Sequence, residues 1–223
     1  MIKAFFVDFY GTVVHEDEEI VGQICAKIKV NSGTDALLDE IAAFWWQALA
    51  GLMDEHCGRR FLSQRETELL SLRKTLHHFH ASFDENELCR PMFRHWQTSA
   101  LFADAAHFLR QVKRPVYVLS NIDNHDIRAI IAYHRLHFAG VITSEDVRAY
   151  KPRPDLFRRA LQLYRLRPDD VLHAGDSFSS DIIGAHRAGI RCAWVNRTHD
   201  PLPEYGPRPD WVIGGLDELL KLE

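Results

Sequence analysis

Cysteine is scarce in this 223-residue sequence, and its four copies lie far apart. No two of them form a Cys-x-x-Cys pair, and no histidine cluster stands near them at the spacing of a zinc finger. The four are Cys25, Cys57, Cys89 and Cys192. A disulfide framework and a structural zinc site are therefore not expected, and we predict free thiols in a reducing compartment.

Long apolar runs and an excess of basic residues are also missing. The N-terminal apolar run is broken by Lys3 and ends at Asp8, so it is too short for a secretion signal or a membrane span. Lysine and arginine together number 27 against 31 acidic residues, and the formal net charge is -4. We therefore expect a cytoplasmic protein without a nucleic-acid or membrane partner.

The sequence does contain an alternation of β-rich and helical segments over much of its length. The β-rich segments are residues 2–8, 115–119, 140–142, 171–174, 191–195 and 211–213. The helical patterns are residues 103–112, 125–134, 155–163 and 180–188, with a further helix at the C-terminal end. This order predicts an α/β fold with a Rossmann-like parallel sheet, covered by helices on both faces.

The stretch from about Glu18 to Ala100 differs, because it has no β-rich run and its apolar residues recur at helical spacing. Ser63 to Glu66 and Ser82 to Glu85 both match the capping-box pattern that begins helices. We therefore predict an inserted all-helical cap domain at 16–100, between the two parts of a core domain at 1–15 and 101–223.

Four polar motifs follow four of the predicted strands, and their side chains are chemically complementary. In chain order they are Asp8-Phe9-Tyr10-Gly11-Thr12, Ser120-Asn121, Lys151-Pro152 and the segment from Gly175 to Asp181. A carboxylate after a buried strand can act as a nucleophile, and a nearby lysine can neutralise charge. The two carboxylates of the last motif, Asp176 and Asp181, suit a hard cation such as Mg²⁺.

In the order and spacing of these motifs the sequence resembles the haloacid dehalogenase superfamily of aspartate-nucleophile hydrolases, across essentially the whole chain. The resemblance implies a helical cap between the first and second motifs. It also implies that Asp8 is the nucleophile and forms an aspartyl-phosphate. Ser120 and Lys151 would hold the phosphoryl oxygens, with Thr12 and Asn121 assisting in substrate binding.

The same resemblance implies a Mg²⁺ site. Its ligands would be the carboxylates of Asp8 and Asp176 and the backbone carbonyl of Tyr10, with Asp181 in or just outside that set. Asp181 has an alternative explanation as a helix N-terminal carboxylate favoured by the helix dipole. The expected substrate is a small phosphorylated metabolite, and the expected assembly is a monomer or a homodimer.

Tyr10 departs from the phosphatase pattern, in which a second aspartate serves as general acid and base two residues after the nucleophile. We include Tyr10 among the predicted catalytic residues because a phenol can donate a proton, but a phenol is a poor base at neutral pH, so the usual acid and base step is in doubt. His173 or His186 would be alternative proton sources. Tyrosine at this position instead resembles the 2-haloacid dehalogenase branch, which works without metal. That branch has serine and asparagine where this chain has Asp176 and Phe178.

Three functions therefore follow from the sequence. We favour Mg²⁺-dependent hydrolysis of a phosphate monoester, because Asp176 beside Asp8 would be electrostatically costly unless a cation binds between them. A metal-independent 2-haloacid dehalogenase is the first alternative, and it needs a cap arginine for the substrate carboxylate. The candidates for that role are Arg59, Arg60, Arg65 and Arg73. The second alternative is a catalytically retired binding module.

Overall fold

Six parallel strands form one sheet in the computed structural model, which describes residues 1–223. The strands are β1 Ala4–Val7, β2 Val116–Ser120, β3 Gly140–Thr143, β4 Val171–Gly175, β5 Arg191–Val195 and β6 Trp211–Ile213. Their order across the sheet is β3-β2-β1-β4-β5-β6. Since β1 pairs with both β2 and β4, the residues that follow these three strands meet at the middle of the carboxyl edge. The α/β, Rossmann-like fold predicted from the sequence is confirmed.

Nine α-helices surround the sheet. They are α1 Glu18–Ser32, α2 Leu38–Glu55, α3 Gln64–His78, α4 Glu85–Thr98, α5 Ala103–Gln111, α6 Asn124–Tyr133, α7 Ser144–Val147, α8 Asp155–Tyr164 and α9 Ile183–Arg187. Three 3₁₀ segments lie at Gly58–Arg60, Pro168–Asp170 and Leu216–Leu222, and a π-helical turn at Phe178–Ile182 precedes α9. None of the helices has the length and apolar character needed to cross a membrane.

The long segment between β1 and β2 contains α1 to α4 and no strand, as its helical spacing predicted. One capping prediction is right: the Glu66 amide donates to the Ser63 hydroxyl, and the Ser63 amide donates to the Glu66 carboxylate. The other is wrong by two residues. Asp84 is the N-cap of α4 because its carboxylate accepts from the Asn86 amide.

The predicted C-terminal helix is present at Leu216–Leu222, and it is a 3₁₀ helix. Side chains bind the backbone amides at its start. The Leu216 amide donates to the Asp104 carboxylate, and the Gly214 amide donates to Glu218. The helix predicted at 180–188 begins instead as the π-helical turn, in which the Ser180 amide donates to the Ser177 hydroxyl.

The four inserted helices and the sheet share a continuous apolar cluster. It joins Phe5 and Val7 of β1 to Ile24 of α1, Trp45 of α2 and Leu72 of α3. Burial of apolar surface contributes roughly 25 cal/mol per Å², so this shared cluster stabilises the position of the insert over the sheet.

A polar contact fixes α3 more specifically. Asp123, in the loop after β2, accepts hydrogen bonds from the Gln64 and Arg65 amides at 2.7 and 3.0 Å. The Arg65 guanidinium donates to Asp126 of α6 at 2.8 and 2.6 Å. A core carboxylate thus caps an inserted helix, which holds the first turn of α3 against the carboxyl edge of the sheet.

Candidate active site

A cavity of about 460 Å³ lies between the carboxyl edge of the sheet and helices α2 to α4. Seven of the eight site residues predicted from the sequence line it. They are Asp8, Tyr10, Ser120, Asn121, Lys151, Asp176 and Asp181. The eighth, Thr12, is buried behind the cavity wall. The parallel sheet therefore brings the four motifs together at one place.

Lys151 lies at the centre of this cluster and is almost completely buried. Its ammonium donates to Asp8 Oδ1 and Asp181 Oδ1, both at 2.6 Å, and to the Leu119 carbonyl at 2.9 Å. Burial raises the pKa of Asp8 to about 6, although Lys151 opposes this effect. Burial alone would lower the pKa of Lys151, but the two carboxylates outweigh it and keep the lysine charged.

Asp176 has no cationic partner. Its carboxylate accepts a hydrogen bond from the Thr12 hydroxyl at 2.6 Å, and its backbone carbonyl accepts one from the Trp194 indole. Desolvation, followed by repulsion from Asp8 and Asp181, raises its pKa well above the usual range for aspartate. Gly11 allows the carboxylate to come this close: it adopts a φ of +80°, and a Cβ there would collide with Asp176.

Asp181 is held differently. It accepts from Lys151 and also from His173 Nε2, at 2.9 Å. Burial would raise the pKa of Asp181, but Lys151 and His173 reverse the effect and hold it below the usual range. Burial lowers the pKa of His173, which contacts Asp181 and does not line the cavity. His173 therefore positions Asp181 and is not placed to protonate a leaving group.

The donor set suits a hard divalent cation. Asp8, Asp176 and Asp181 each offer a carboxylate oxygen, and the three oxygens lie within 4.8 Å of one another. Only the single positive charge of Lys151 offsets these three acidic groups. Carboxylate oxygens are the ligands that Mg²⁺ prefers, and a cation among them would relieve the repulsion at Asp176.

The Tyr10 phenol is not free to exchange protons. Its hydroxyl donates to the Trp96 carbonyl of α4 at 2.6 Å. Burial, together with the nearby Asp126 and Asp8 carboxylates, raises its pKa far above the ordinary value for tyrosine. The side chain that was predicted to be catalytic therefore ties the nucleophile loop to the insert.

Thr12 and Asn121 also contact protein groups. The Thr12 hydroxyl accepts from the Asp176 amide as well as donating to its carboxylate, so the structure places Thr12 behind a predicted metal ligand. The Asn121 side chain accepts from the Lys151 amide at 2.8 Å and donates to the Lys151 carbonyl at 3.1 Å. Asn121 lines the cavity and also fixes the backbone of Lys151.

No cap arginine lines the cavity. Arg65 is paired with Asp126, Arg73 is paired with Glu85, and both Arg59 and Arg60 are exposed. The cation that the dehalogenase interpretation requires is therefore not provided by these four residues. The arginines that do line the cavity, Arg153 and Arg187, belong to the core.

Arg197 was missed in the sequence, although it follows a predicted strand. Its guanidinium donates to the Gly11 and Thr12 carbonyls at 2.8 and 2.9 Å and to Asp104 Oδ2 at 2.6 Å. These contacts fix the loop after Asp8. A lone Asn-Arg pair after β5 carries no recognisable motif, so only its place at the carboxyl edge could have signalled this role.

The acidic residues that the insert contributes to the cavity lining were missed as well. Glu16 and Asp17 precede α1, and Glu68 lies on α3; all three line the cavity. Sequence spacing could not identify them, because each side chain faces the cavity only through the docking of the insert.

Comparisons with known proteins agree with this geometry at the level of the family. A family model described as haloacid dehalogenase-like hydrolase matches residues 2–189. The (S)-2-haloacid dehalogenase 2 of Pseudomonas sp. (strain CBS-3) is 27% identical over 229 residues, covering 99% of this chain and 95% of that protein. The phosphoserine phosphatase of Thermus thermophilus is 33% identical over 143 residues, covering 61% of this chain and 57% of the phosphatase.

Solved structures share the fold. The L-2-haloacid dehalogenase of Xanthobacter autotrophicus superposes with a TM-score of 0.75 at 22% identity, covering 100% of this chain and 98% of that one. The relatives matched over their full length thus favour the dehalogenase alternative over the phosphatase interpretation that we preferred from the sequence. With the motifs converging on one cavity and a family model matching most of its length, the chain belongs to the haloacid dehalogenase-like hydrolases.

Proposed function

We propose that this hydrolase cleaves a small phosphate monoester in a Mg²⁺-dependent reaction, with Asp8 as the nucleophile. The observation that carries the proposal is the carboxylate cluster of Asp8, Asp176 and Asp181, which has Lys151 as its only cationic partner. Such a cluster repels an anionic substrate unless a cation binds first. A bound Mg²⁺ would supply Lewis-acid stabilisation of the phosphoryl oxygens.

The residues of the chain then divide the reaction between them. A carboxylate oxygen of Asp8 attacks phosphorus as the bond to the leaving oxygen breaks, and an aspartyl-phosphate forms. Lys151 holds Asp8 in place and offsets its charge. Ser120 and Asn121, at the carboxyl end of β2, line the space for the phosphoryl oxygens. Water then cleaves the acyl phosphate, which releases inorganic phosphate and restores Asp8.

The leaving oxygen needs a proton, and Tyr10 is not placed to give one. Glu16 is the candidate donor. It lines the cavity, where desolvation, followed by the neighbouring Asp17 and Asp8 carboxylates, raises its pKa to about 7, although the residue is exposed to solvent. A carboxyl with a pKa near the working pH suits general acid catalysis.

A 2-haloacid dehalogenase is the second candidate. Two observations favour it: Tyr10 after the nucleophile, and full-length relatives that bear this activity in their names. Two observations oppose it. Asp176 places a carboxylate beside the nucleophile, where a haloacid anion would be repelled, and no cap cation lines the cavity to bind the substrate carboxylate.

The two candidates are separated by assaying the purified protein for both products. We expect phosphate release from p-nitrophenyl phosphate in the presence of Mg²⁺, loss of activity with EDTA and recovery when Mg²⁺ is restored. Asp176→Asn is expected to lower turnover by about 10² or more, and Asp8→Asn to abolish it.

The matched measurement is chloride release from 2-chloropropionate. Chloride release that survives EDTA would overturn the phosphatase proposal and establish the dehalogenase. Binding of phosphate with no turnover of either substrate would instead support the retired binding module.

A further inference from the structure

The two walls of the cavity differ in charge. The core wall carries both signs, with Lys151, Arg153 and Arg187 beside the carboxylates of Asp8, Asp176 and Asp181. The wall formed by residues 16–100 has acidic side chains and no lysine or arginine among its lining residues. Its acidic members are Glu16, Asp17, Asp54 and Glu68. A phosphoryl group at Asp8 would therefore point its leaving group towards an acidic, partly apolar surface.

Glu68 is the most deeply buried carboxylate of this wall, with 6% of its surface exposed. The only hydrogen bond to its carboxylate comes from the side-chain nitrogen Nε2 of Gln64, at 3.2 Å. Glu68 interacts electrostatically with three ionisable groups, Asp17, Cys89 and Tyr150, and none of them is a cation. Burial raises the pKa of Glu68 to about 8, because the charged carboxylate loses its solvation there. A cation beside the carboxylate would stabilise the charged form.

Asp54 provides an internal comparison. It lines the same wall, but Arg153 lies 3.6 Å from its carboxylate and supplies a positive charge. Glu68 has no such partner anywhere in the chain. The exposed carboxylate of Asp54 therefore has a cationic partner, whereas the buried carboxylate of Glu68 has none.

Gln64 gives an independent indication of a ligand at the same place. The residue is 7% exposed, and its side-chain oxygen Oε1 accepts no hydrogen bond. Its other polar groups are committed, because the backbone amide donates to Asp123 and Nε2 donates to Glu68. An unpaired buried acceptor is unfavourable, so a donor from the substrate would stabilise it.

Aromatic side chains also line the cavity. Trp46 and Trp96 both line it, and Trp46 is 62% exposed and available to a ligand. Indole rings attract organic cations, and they also pack against alkyl chains.

We propose that the substrate is the phosphate monoester of an amino alcohol, whose ammonium group binds Glu68 and the Gln64 side-chain oxygen while its phosphoryl group lies at Asp8. This inference rests on the proposed phosphatase function. A substrate that also bears a carboxylate is disfavoured, since the cap wall has no cation to receive it.

The test compares 3-aminopropyl phosphate with butyl phosphate, which has the same number of heavy atoms in its chain but no charge there. In the wild-type protein with Mg²⁺, kcat/KM is expected to be at least about tenfold higher for the amine. Glu68→Gln should bring this ratio close to one. Glu55→Gln, on the exposed end of α2, is the matched control and should keep the wild-type ratio.

Each result has a separate meaning. If neither ester nor p-nitrophenyl phosphate is hydrolysed, the proposed phosphatase function fails. If esters are hydrolysed but the wild-type ratio is near one, only the amino-alcohol inference fails, and the same follows if Glu68→Gln keeps the preference. The wild-type ratio decides the question even where the variant does not fold.

Discussion

The residue that follows the nucleophile by two positions decides which chemistry the site can perform. A hydroxyl of Tyr10 that donates to the Trp96 carbonyl cannot also protonate a leaving group. The other carboxylates near Asp8 are engaged by Lys151, His173 or Thr12. Glu16 and Glu68 both line the cavity without a cationic partner, and because Glu68 is assigned to the ammonium group of the substrate, Glu16, with a pKa of about 7, is the proposed acid.

We predict that Glu16→Gln lowers kcat for an alkyl phosphate by about 10² or more, because an alkoxide leaves slowly without a proton. For p-nitrophenyl phosphate the loss should be below about tenfold, since nitrophenolate needs little assistance. The acid must be protonated to act, so wild-type activity on the alkyl ester should fall as the pH rises through 7. This alkaline limb of the pH profile should be absent from the variant. Steady-state kinetics across pH measure both effects.

Glu18→Gln is the control for this experiment, because Glu18 is exposed at the start of α1 and does not line the cavity. Glu18 is one of the carboxylates that raise the pKa of Glu16, together with Asp17, Asp8 and Asp181. Its removal should shift the limb slightly to lower pH and leave kcat below that limb unchanged. Equal losses on both substrates in Glu16→Gln would contradict the role as an acid.

At the scale of elements, the joint between α3 and the core is the contact on which the cavity depends. The first turn of α3 carries Gln64, and Glu68 follows one turn later. Asp123 accepts from two amides of that turn. A shift of α3 would therefore displace the whole acidic wall.

Asp123→Ala should destabilise the protein by about 1–2 kcal/mol, because two buried helix-terminal amides lose their acceptor. Urea unfolding measures the change, and hydrogen exchange at the Gln64 and Arg65 amides should accelerate. Asp84→Ala removes an exposed cap from α4, where water can replace it. It should cost less than Asp123→Ala, and an equal or larger cost would argue against the joint.

The sequence was sufficient to predict most elements and insufficient to predict this joint. Runs of β-forming residues identified the strands and helical spacing identified the inserted helices, because both patterns are local. The contact between Asp123 and Gln64 spans 59 residues, and nothing in either segment indicates the other. The π-helical turn at Phe178 and the cap at Asp84 were missed for a related reason, since spacing alone does not tell which nearby polar side chain binds a helix-terminal amide.

At the scale of the molecule, the core motifs and the cap wall differ in how predictable they were. Parallel strands force their carboxyl ends together, so the sequence could place Asp8, Lys151 and Asp176 in one site. Which cap side chains face that site depends on the docking of four helices. A net charge of -4 does not reveal the result, a cavity in which the core wall carries charges of both signs and the wall formed by the insert has no lysine or arginine.

Metal binding should be visible in the stability of the whole protein. A site that binds Mg²⁺ only when folded gains about 3 kcal/mol at about one hundred times Kd. For a chain of this size, the melting temperature should rise by about 5–10 °C. Asp176→Asn should melt higher than the wild-type protein without metal, because the repelled carboxylate is gone, and should lose most of the rise with Mg²⁺.

Differential scanning calorimetry with and without Mg²⁺ checks this prediction, and Ca²⁺ tests the preference for the smaller ion. Asp169→Asn, an acidic residue near the far end of β4, is the control and should keep the full response. A wild-type protein whose melting temperature ignores Mg²⁺ would contradict the metal site.

The hydrogen bonds of Arg197 to the loop after Asp8 bear on how far the chain can be shortened. The guanidinium reaches back across 185 positions to the Thr12 carbonyl, from beyond the last residue matched by the family model. A fragment that stops after α9 would retain the groups assigned to the chemistry but lose β5, β6 and the contacts that fix the loop after Asp8. Recognition of the motifs alone would therefore overestimate what such a fragment can do.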